Sequence, residues 1–140
     1  MPRTSAVNAP LANANCFGCG SANSVGLHLH FTAHPDGGVQ AEFEPQPEHQ
    51  GWDGVVHGGV VAVLLDESMA WAAASKTVKY VTARLEVRYR HPVTVGRPVL
   101  LRGWVEQDRG RALDSRAQVL DAAGRVLAEA TALFIRAPDL

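Results

Sequence analysis

Lysine is nearly absent from this 140-residue chain. Of 13 basic residues only Lys76 and Lys79 are lysines, and the other 11 are arginines. Acidic residues number 14, so the formal net charge is -1, with a pI near 6.6. No global basic field exists to hold nucleic acid or an anionic membrane, and neither partner is expected. Cysteine is limited to Cys16 and Cys19, a single Cys-x-x-Cys, which excludes a secreted disulfide framework. Two sulfurs fall short of a tetrahedral zinc set and no nearby spacing completes one, so neither a metal nor a cofactor is expected. Around Met1-Pro2-Arg3-Thr4 there is no apolar signal-type stretch, and a reducing cytoplasm is the expected setting. Familiar catalytic signatures are missing too. The chain has no Gly-Lys dipeptide and so no P-loop, no Gly-x-Gly-x-x-Gly, no Gly-x-Ser-x-Gly and no His-Glu-x-x-His.

What is present describes one globular domain of ordinary size. Hydrophobic residues make up 46% and charged residues 19% of the chain, which excludes a disordered tail. Residues 1–26 are rich in Ala, Asn, Ser, Pro and Gly without a period, and read as a loosely attached arm. Residues 27–33 alternate Leu27, Leu29 and Phe31 with His28, His30 and Thr32, the pattern of a half-buried strand. His34 then belongs to a turn at Pro35-Asp36-Gly37-Gly38, and a second strand at 39–44 completes a hairpin. One convincing helix spans about Gly58 to Ser75. It is apolar almost all round, and so expected to be buried on most sides, but Asp66-Glu67-Ser68 at its middle makes it a poor membrane span.

Every later segment reads as strand: 78–90, 98–107, 111–120 and 125–136, joined by short turns. In the first of these, Leu85, Val87 and Tyr89 share one face, while Arg84, Glu86, Arg88 and Arg90 take the other. The order β-β-α-β-β-β-β is α+β. The late strands have no crossover helices, so the sheet is antiparallel, and a lone apolar helix implies a sheet that curves around it. Residues 27–138 form this single domain.

Chemistry concentrates in His49-Gln50-Gly51-Trp52-Asp53-Gly54-Val55-Val56-His57-Gly58-Gly59 and the helix that follows. Glycines at a helix start permit close backbone approach, and the first helical N–H groups lack internal partners. A carbonyl or oxyanion placed there is stabilised, although the glycines also suit a helix that merely enters a tight space. Asp66 and Glu67 point about 100° apart, so at most one faces a given site. Gly58 and Asp66 are separated by about 12 Å along the helix axis, too far to touch one carbonyl together. If they cooperate, they come from two subunits related by a two-fold axis.

His57-Gly58-Gly59 followed by Leu64-Leu65-Asp66-Glu67 resembles the PaaI-type branch of the hotdog-fold acyl-CoA thioesterases. So do His49-Gln50-Gly51, Cys16-Phe17-Gly18-Cys19-Gly20 with Gly26-Leu27, and Tyr89-Arg90-His91-Pro92-Val93. The resemblance covers nearly the whole chain from Cys16. It implies a hotdog fold, a curved antiparallel sheet wrapped around one long central helix. It also implies homodimers or dimers of dimers, and hydrolysis of an acyl-CoA or related thioester at the dimer interface. Coenzyme A then enters as part of the substrate. By the same resemblance the Gly58 amide polarises the thioester carbonyl, with Gly59 beside it in substrate binding. Asp66 acts as general base or nucleophile, with Glu67 as the alternative acid. Thr82 assists, and His57 orients the loop. Relatives often carry Asn six residues before the motif His; Gly51 stands there, and its neighbour Gln50 is the candidate replacement.

Other readings stay open at this level. Arg84, Arg88 and Arg90 are candidates for the CoA phosphates or for a solvated cross-strand charge ladder. Arg109 and Arg111 at a turn are equally undecided. Trp52, Met69, Trp71 and Tyr80 line an acyl pocket or belong to the core. A non-hydrolytic acyl-CoA-binding module is the competing function, and a hotdog hydratase is a third.

Overall fold

The computed structural model describes residues 13–74 and 78–140. Residues 1–12 of the expected arm and Ser75, the expected helix end, lie outside them. The strands are β1 (Thr32–Ala33), β2 (Val39–Phe43), β3 (Tyr80–Tyr89), β4 (Val99–Asp108), β5 (Ala112–Leu120) and β6 (Val126–Arg136). One helix, α1 (Gly58–Ala72), lies between β2 and β3, and a 3-10 turn covers Pro47–His49. All pairings are antiparallel, in the spatial order β1-β2-β4-β5-β6-β3. The α+β class and the order of elements are those expected from periodicity.

The helix packs against β2, β3, β4, β5 and β6. Five strands span about 19 Å at a spacing near 4.8 Å, whereas a helix with its side chains is about 10 Å wide. One helix reaches all five because the sheet curves around it. Val61, Leu64, Leu65 and Met69 of α1 are buried against Leu101, Ala117, Val119, Ala130 and Phe134 of the sheet. Met69 is thus core. Ser68 is buried among them, and its hydroxyl donates to the Leu64 carbonyl at 2.6 Å, so no polar group is stranded there. No helix among the described residues is long and apolar enough to cross a membrane.

The helix crosses β4 at Gly103. A Cβ there would lie 2.2 Å from the Ser68 carbonyl oxygen and 2.5 Å from its carbon. Both obstacles are backbone and cannot swing aside. Gly103→Ala is therefore expected to destabilise the chain by about 1–3 kcal/mol, as overpacking of a filled core does. Urea unfolding should show a lower midpoint at unchanged slope; an unchanged midpoint would mean the helix lifts away at no cost.

Two segments differ from their sequence reading. Leu27, Leu29 and Phe31 are buried and His28 and His30 exposed, as alternation requires, yet ladder pairing with β2 is confined to Thr32 and Ala33. The backbone of 27–29 is bonded elsewhere: Leu27 N–H donates to the Phe17 carbonyl and Leu29 N–H to that of Gly18, both at 2.9 Å. His28, at φ 52°, interrupts the extended run. The same bonds mean that residues 13–26 are not a loose arm but are tied onto the domain. The helix is also shorter than expected: the Ala73 N–H makes the last i→i−4 bond, to the Met69 carbonyl at 2.9 Å, and the Ala74 N–H then tightens onto the Trp71 carbonyl at 3.2 Å.

In β3 one residue too many faces β6. Thr82 pairs with Phe134 and Arg84 with Leu133, so Ala83 is a bulge. Before the bulge Thr82 sits opposite buried Phe134, on the helix side of the sheet. After it Leu85, Val87 and Tyr89 take that side, opposite Ala132, Ala130 and Ala128. Strict alternation would have put Thr82 with the arginines on the outer face.

Candidate functional site

The loop before α1 is closed by its own backbone. Gly51 N–H donates to the Val55 carbonyl at 2.8 Å, and Val56 N–H to that of Val93, also at 2.8 Å. His57 N–H returns to the His49 carbonyl at 2.9 Å. The Gln50 side-chain oxygen accepts the Gly54 N–H at 3.0 Å, so Gln50 braces this turn. Trp52 at its tip is 87% exposed and is not part of the core.

His57 is the helix N-cap. Its Nδ1 accepts the Gly59 N–H at 2.8 Å, which in the neutral ring leaves the proton on Nε2. Its carbonyl accepts the Val60 and Val61 N–H groups at 2.9 and 3.1 Å. The Val61 bond is the first ordinary helical one; with His57 N–H on His49, Gly59 N–H on the ring and Val60 N–H on the His57 carbonyl, three of the four orphan donors at the helix start are satisfied. The fourth, Gly58 N–H, meets no acceptor among the described residues. It opens onto a groove of about 400 Å³ lined by Gly51, Trp52, Val56, His57 and Gly58. With the positive end of the helix dipole behind it, this amide suits a carbonyl oxygen or oxyanion. Gly59, grouped with it in the sequence, spends its N–H on the His57 ring.

Tyr89, at the end of β3, donates its hydroxyl to the Gly58 carbonyl at 2.6 Å. Sequence reasoning placed Tyr89 on the apolar face and gave it no role. The signal was only that a phenol ended a row of aliphatic residues.

Asp66 lies two turns further along α1. Thr82 Oγ1 donates to its Oδ1 at 2.7 Å, which leaves Oδ2 for other chemistry. The bulge at Ala83 makes this contact, since it turns Thr82 toward the helix. Helix and strand thus carry two polar pairs, Gly58 with Tyr89 at one end and Asp66 with Thr82 at the other.

Glu67 is not brought to this row. Its Oε1 accepts the Trp71 indole N–H at 3.2 Å and the Cys16 thiol at 3.7 Å. Trp71 stacks on Phe31 with ring centroids 5.6 Å apart. Burial first, then the hydrogen bond and charge of Glu67, push the Cys19 thiol from 9.0 up to about 12. Trp71 and Tyr80 line a cavity of about 310 Å³ here, together with Cys16, Cys19 and Glu67.

The arginines divide. Arg90 pairs with Glu129 at 2.6 Å, a contact of the charge-ladder kind. Arg109 pairs with Asp114. Arg84 and Arg88 lie on the outer face of β3 and make no ion pair among the described residues.

Among the described residues, a lone helix in a curved antiparallel sheet, with a free amide at its start and a braced carboxylate at its middle, is the hotdog architecture. The family model of the thioesterase superfamily matches residues 53–128, more than half of the chain, and the protein belongs to that superfamily. Acyl-coenzyme A thioesterase THEM4 of Xenopus laevis is 34% identical over 95 residues, covering 67% of this chain and 43% of the relative. The chain thus spans less than half the length of that curated relative. A crystallographically solved thioesterase superfamily protein superposes with a TM-score of 0.81 at 29% identity, over 87% of this chain and 60% of the other. A Streptococcus mutans protein solved bound to acetyl-CoA shares the fold with a TM-score of 0.71 at 19% identity, over 78% of this chain and 88% of its own.

Proposed function

We propose that this protein hydrolyses an acyl-CoA or a closely related thioester at sites shared between two copies of the chain. The observation that carries the proposal is the unpartnered Gly58 N–H on the same helix as an Asp66 carboxylate braced by Thr82. The named activity of the THEM4 relative and the acetyl-CoA held by the Streptococcus mutans protein support the substrate class.

Amide and carboxylate are about 12 Å apart along one helix, so a single copy cannot present both to one carbonyl. The outer edge of β3 has no neighbouring strand among the described residues. Antiparallel pairing of β3 with its counterpart in a second copy, centred on Glu86 and with Ala83 bulged out of the ladder, sets Thr82 of one copy opposite Tyr89 of the other. Asp66 then stands beside the second copy's Gly58, and one two-fold axis creates two such sites. Exposed Val81 and Tyr89 on this strand favour a covered edge. Pairing into a dimer of dimers is a further step of the same reading.

In the reaction the thioester oxygen rests on the Gly58 N–H. Asp66 takes a proton from water as the water oxygen bonds to the carbonyl carbon, or attacks that carbon itself to give an anhydride that water then opens. On either route the C–S bond breaks, the sulfur leaves with its electron pair and is protonated, and free acid and CoA thiol result. His57 holds the loop and Gln50 braces its turn. Arg84 and Arg88 are the arginines still available to the CoA phosphates. Free Cys16 and Cys19 fit a reducing compartment such as the cytoplasm.

Thiol release measured across aryl, short-chain and long-chain acyl-CoAs, with Asp66→Ala as control, tests the proposal. Tight acyl-CoA binding without thiol release would replace it with a sensing module, and a hydrated product with a hydratase. Thr82→Val removes one hydrogen bond to the carboxylate and should lower kcat about 5- to 20-fold with little change in KM. A change confined to KM would place Thr82 in substrate binding instead.

A further inference from the structure

Spacing along the chain offers Cys16 and Cys19 only two metal ligands. The fold supplies a third from 48 residues further on. The Cys16 and Cys19 sulfurs and a Glu67 carboxylate oxygen all lie within 4.8 Å of one another. We infer that Cys16, Cys19 and Glu67 form a binding site for one divalent cation of the zinc type, which fastens the N-terminal segment to α1. Thioester hydrolysis does not depend on this site, and the site does not depend on that reading.

Donor chemistry and spacing carry the inference. Two thiolates and one carboxylate are a set that borderline-soft Zn²⁺ accepts. With bonds near 2.3 Å to sulfur and 2.0 Å to oxygen, tetrahedral ligands stand about 3.5–3.8 Å apart. Cys16 Sγ and Glu67 Oε1 are already 3.7 Å apart. The remaining separations are at most 4.8 Å, about 1 Å from the tetrahedral values.

The surroundings are built to hold the carboxylate there. A Cβ on Gly18 would lie 2.6 Å from Glu67 Cδ and 2.7 Å from its Oε2, so glycine between the two cysteines makes room for the third ligand. At Gly20 a Cβ would lie 2.4 Å from both the Ala14 oxygen and the Cys16 nitrogen, which keeps the turn after Cys19 tight. The Trp71 indole N–H fixes Glu67 Oε1, and Phe31 fixes Trp71, an outer layer of the kind that orients metal ligands. Two thiolates, a carboxylate and a divalent ion sum to one negative charge, and Lys79 lines the same cavity. Three protein ligands would leave a fourth position for water.

The test uses the full chain, reduced and stripped with chelator, then loaded with Zn²⁺ and desalted. One zinc per chain is expected, with a raised thermal midpoint. Loading with Co²⁺ should give thiolate-to-cobalt charge-transfer absorption and tetrahedral d–d bands. Cys16→Ser combined with Cys19→Ser should abolish both signals. Glu67→Gln keeps the volume and an oxygen for Trp71, and should weaken zinc binding at least about tenfold. Less than about a tenth of a zinc per chain at saturation would overturn the site. Full retention in the double Ser variant would place the metal elsewhere, and unchanged affinity in Glu67→Gln would remove Glu67 from the ligand set.

Discussion

Asp66→Asn is expected to lower kcat for acyl-CoA hydrolysis by about 10²–10⁴-fold, the range that a positioned base or nucleophile contributes. The substitution is close to isosteric, and its side-chain oxygen still accepts the Thr82 hydroxyl bonded to Asp66 Oδ1. Fold, assembly and KM should therefore stay near wild type while turnover collapses. Steady-state thiol release with sedimentation of the same samples separates these quantities. A wild-type rate in Asp66→Asn combined with a dead Glu67→Gln would move the acid by one residue. The structure speaks against that shift, because Glu67 turns toward Cys16 and Trp71.

Gly58→Pro is expected to cost about 10²–10³-fold in kcat, the usual loss when one oxyanion donor is deleted. Proline removes the single N–H in question and is tolerated at the first helical position. His57, at φ -55° and ψ 134°, already has the conformation that a residue before proline prefers. A Cβ at position 58 meets only Tyr89, at 3.5 Å or beyond. The helix should therefore form normally without its free donor. Mixing this variant with Asp66→Asn then reports on site sharing. If amide and carboxylate come from different copies, half of randomly mixed dimers are hybrid and each hybrid keeps one intact site of two. About a quarter of wild-type activity should return on exchange. No recovery despite proven subunit exchange would confine each site to one chain.

The fold was legible because its signals are local. Alternation at 39–44, 98–107, 111–120 and 125–136 marks strands with one face on the helix, and the apolar run from Val60 to Met69 marks the helix they cover. The separation of Gly58 from Asp66 follows from the helical rise alone. What escaped depends on partners distant in sequence. Alternation in 27–31 reports burial, not which backbone receives the hydrogen bonds, and here the partner is Phe17 and Gly18 rather than a long ladder on β2. Residues 13–26 have no period because turns, not a repeating face, hold them. Glu67 meets the cysteines only once α1 and the N-terminal segment are packed together. Thr82 came from resemblance alone, since parity would have set it among the arginines.

That last discrepancy says something about how β3 tolerates change. Ala83 is exposed and matters less for its side chain than for being one residue. It shifts the phase between Thr82 and the row Leu85, Val87 and Tyr89, so both polar pairs reach the same helix. Exchanging Ala83 for another small or polar residue leaves that phase intact. Deleting it would leave plain alternation, with Thr82 two residues before Leu85 and on the same face, so the bulge and not the contact would be lost. Position 83 is thus permissive to substitution, and the alignment of the candidate site depends on this residue staying out of the ladder rather than on its identity.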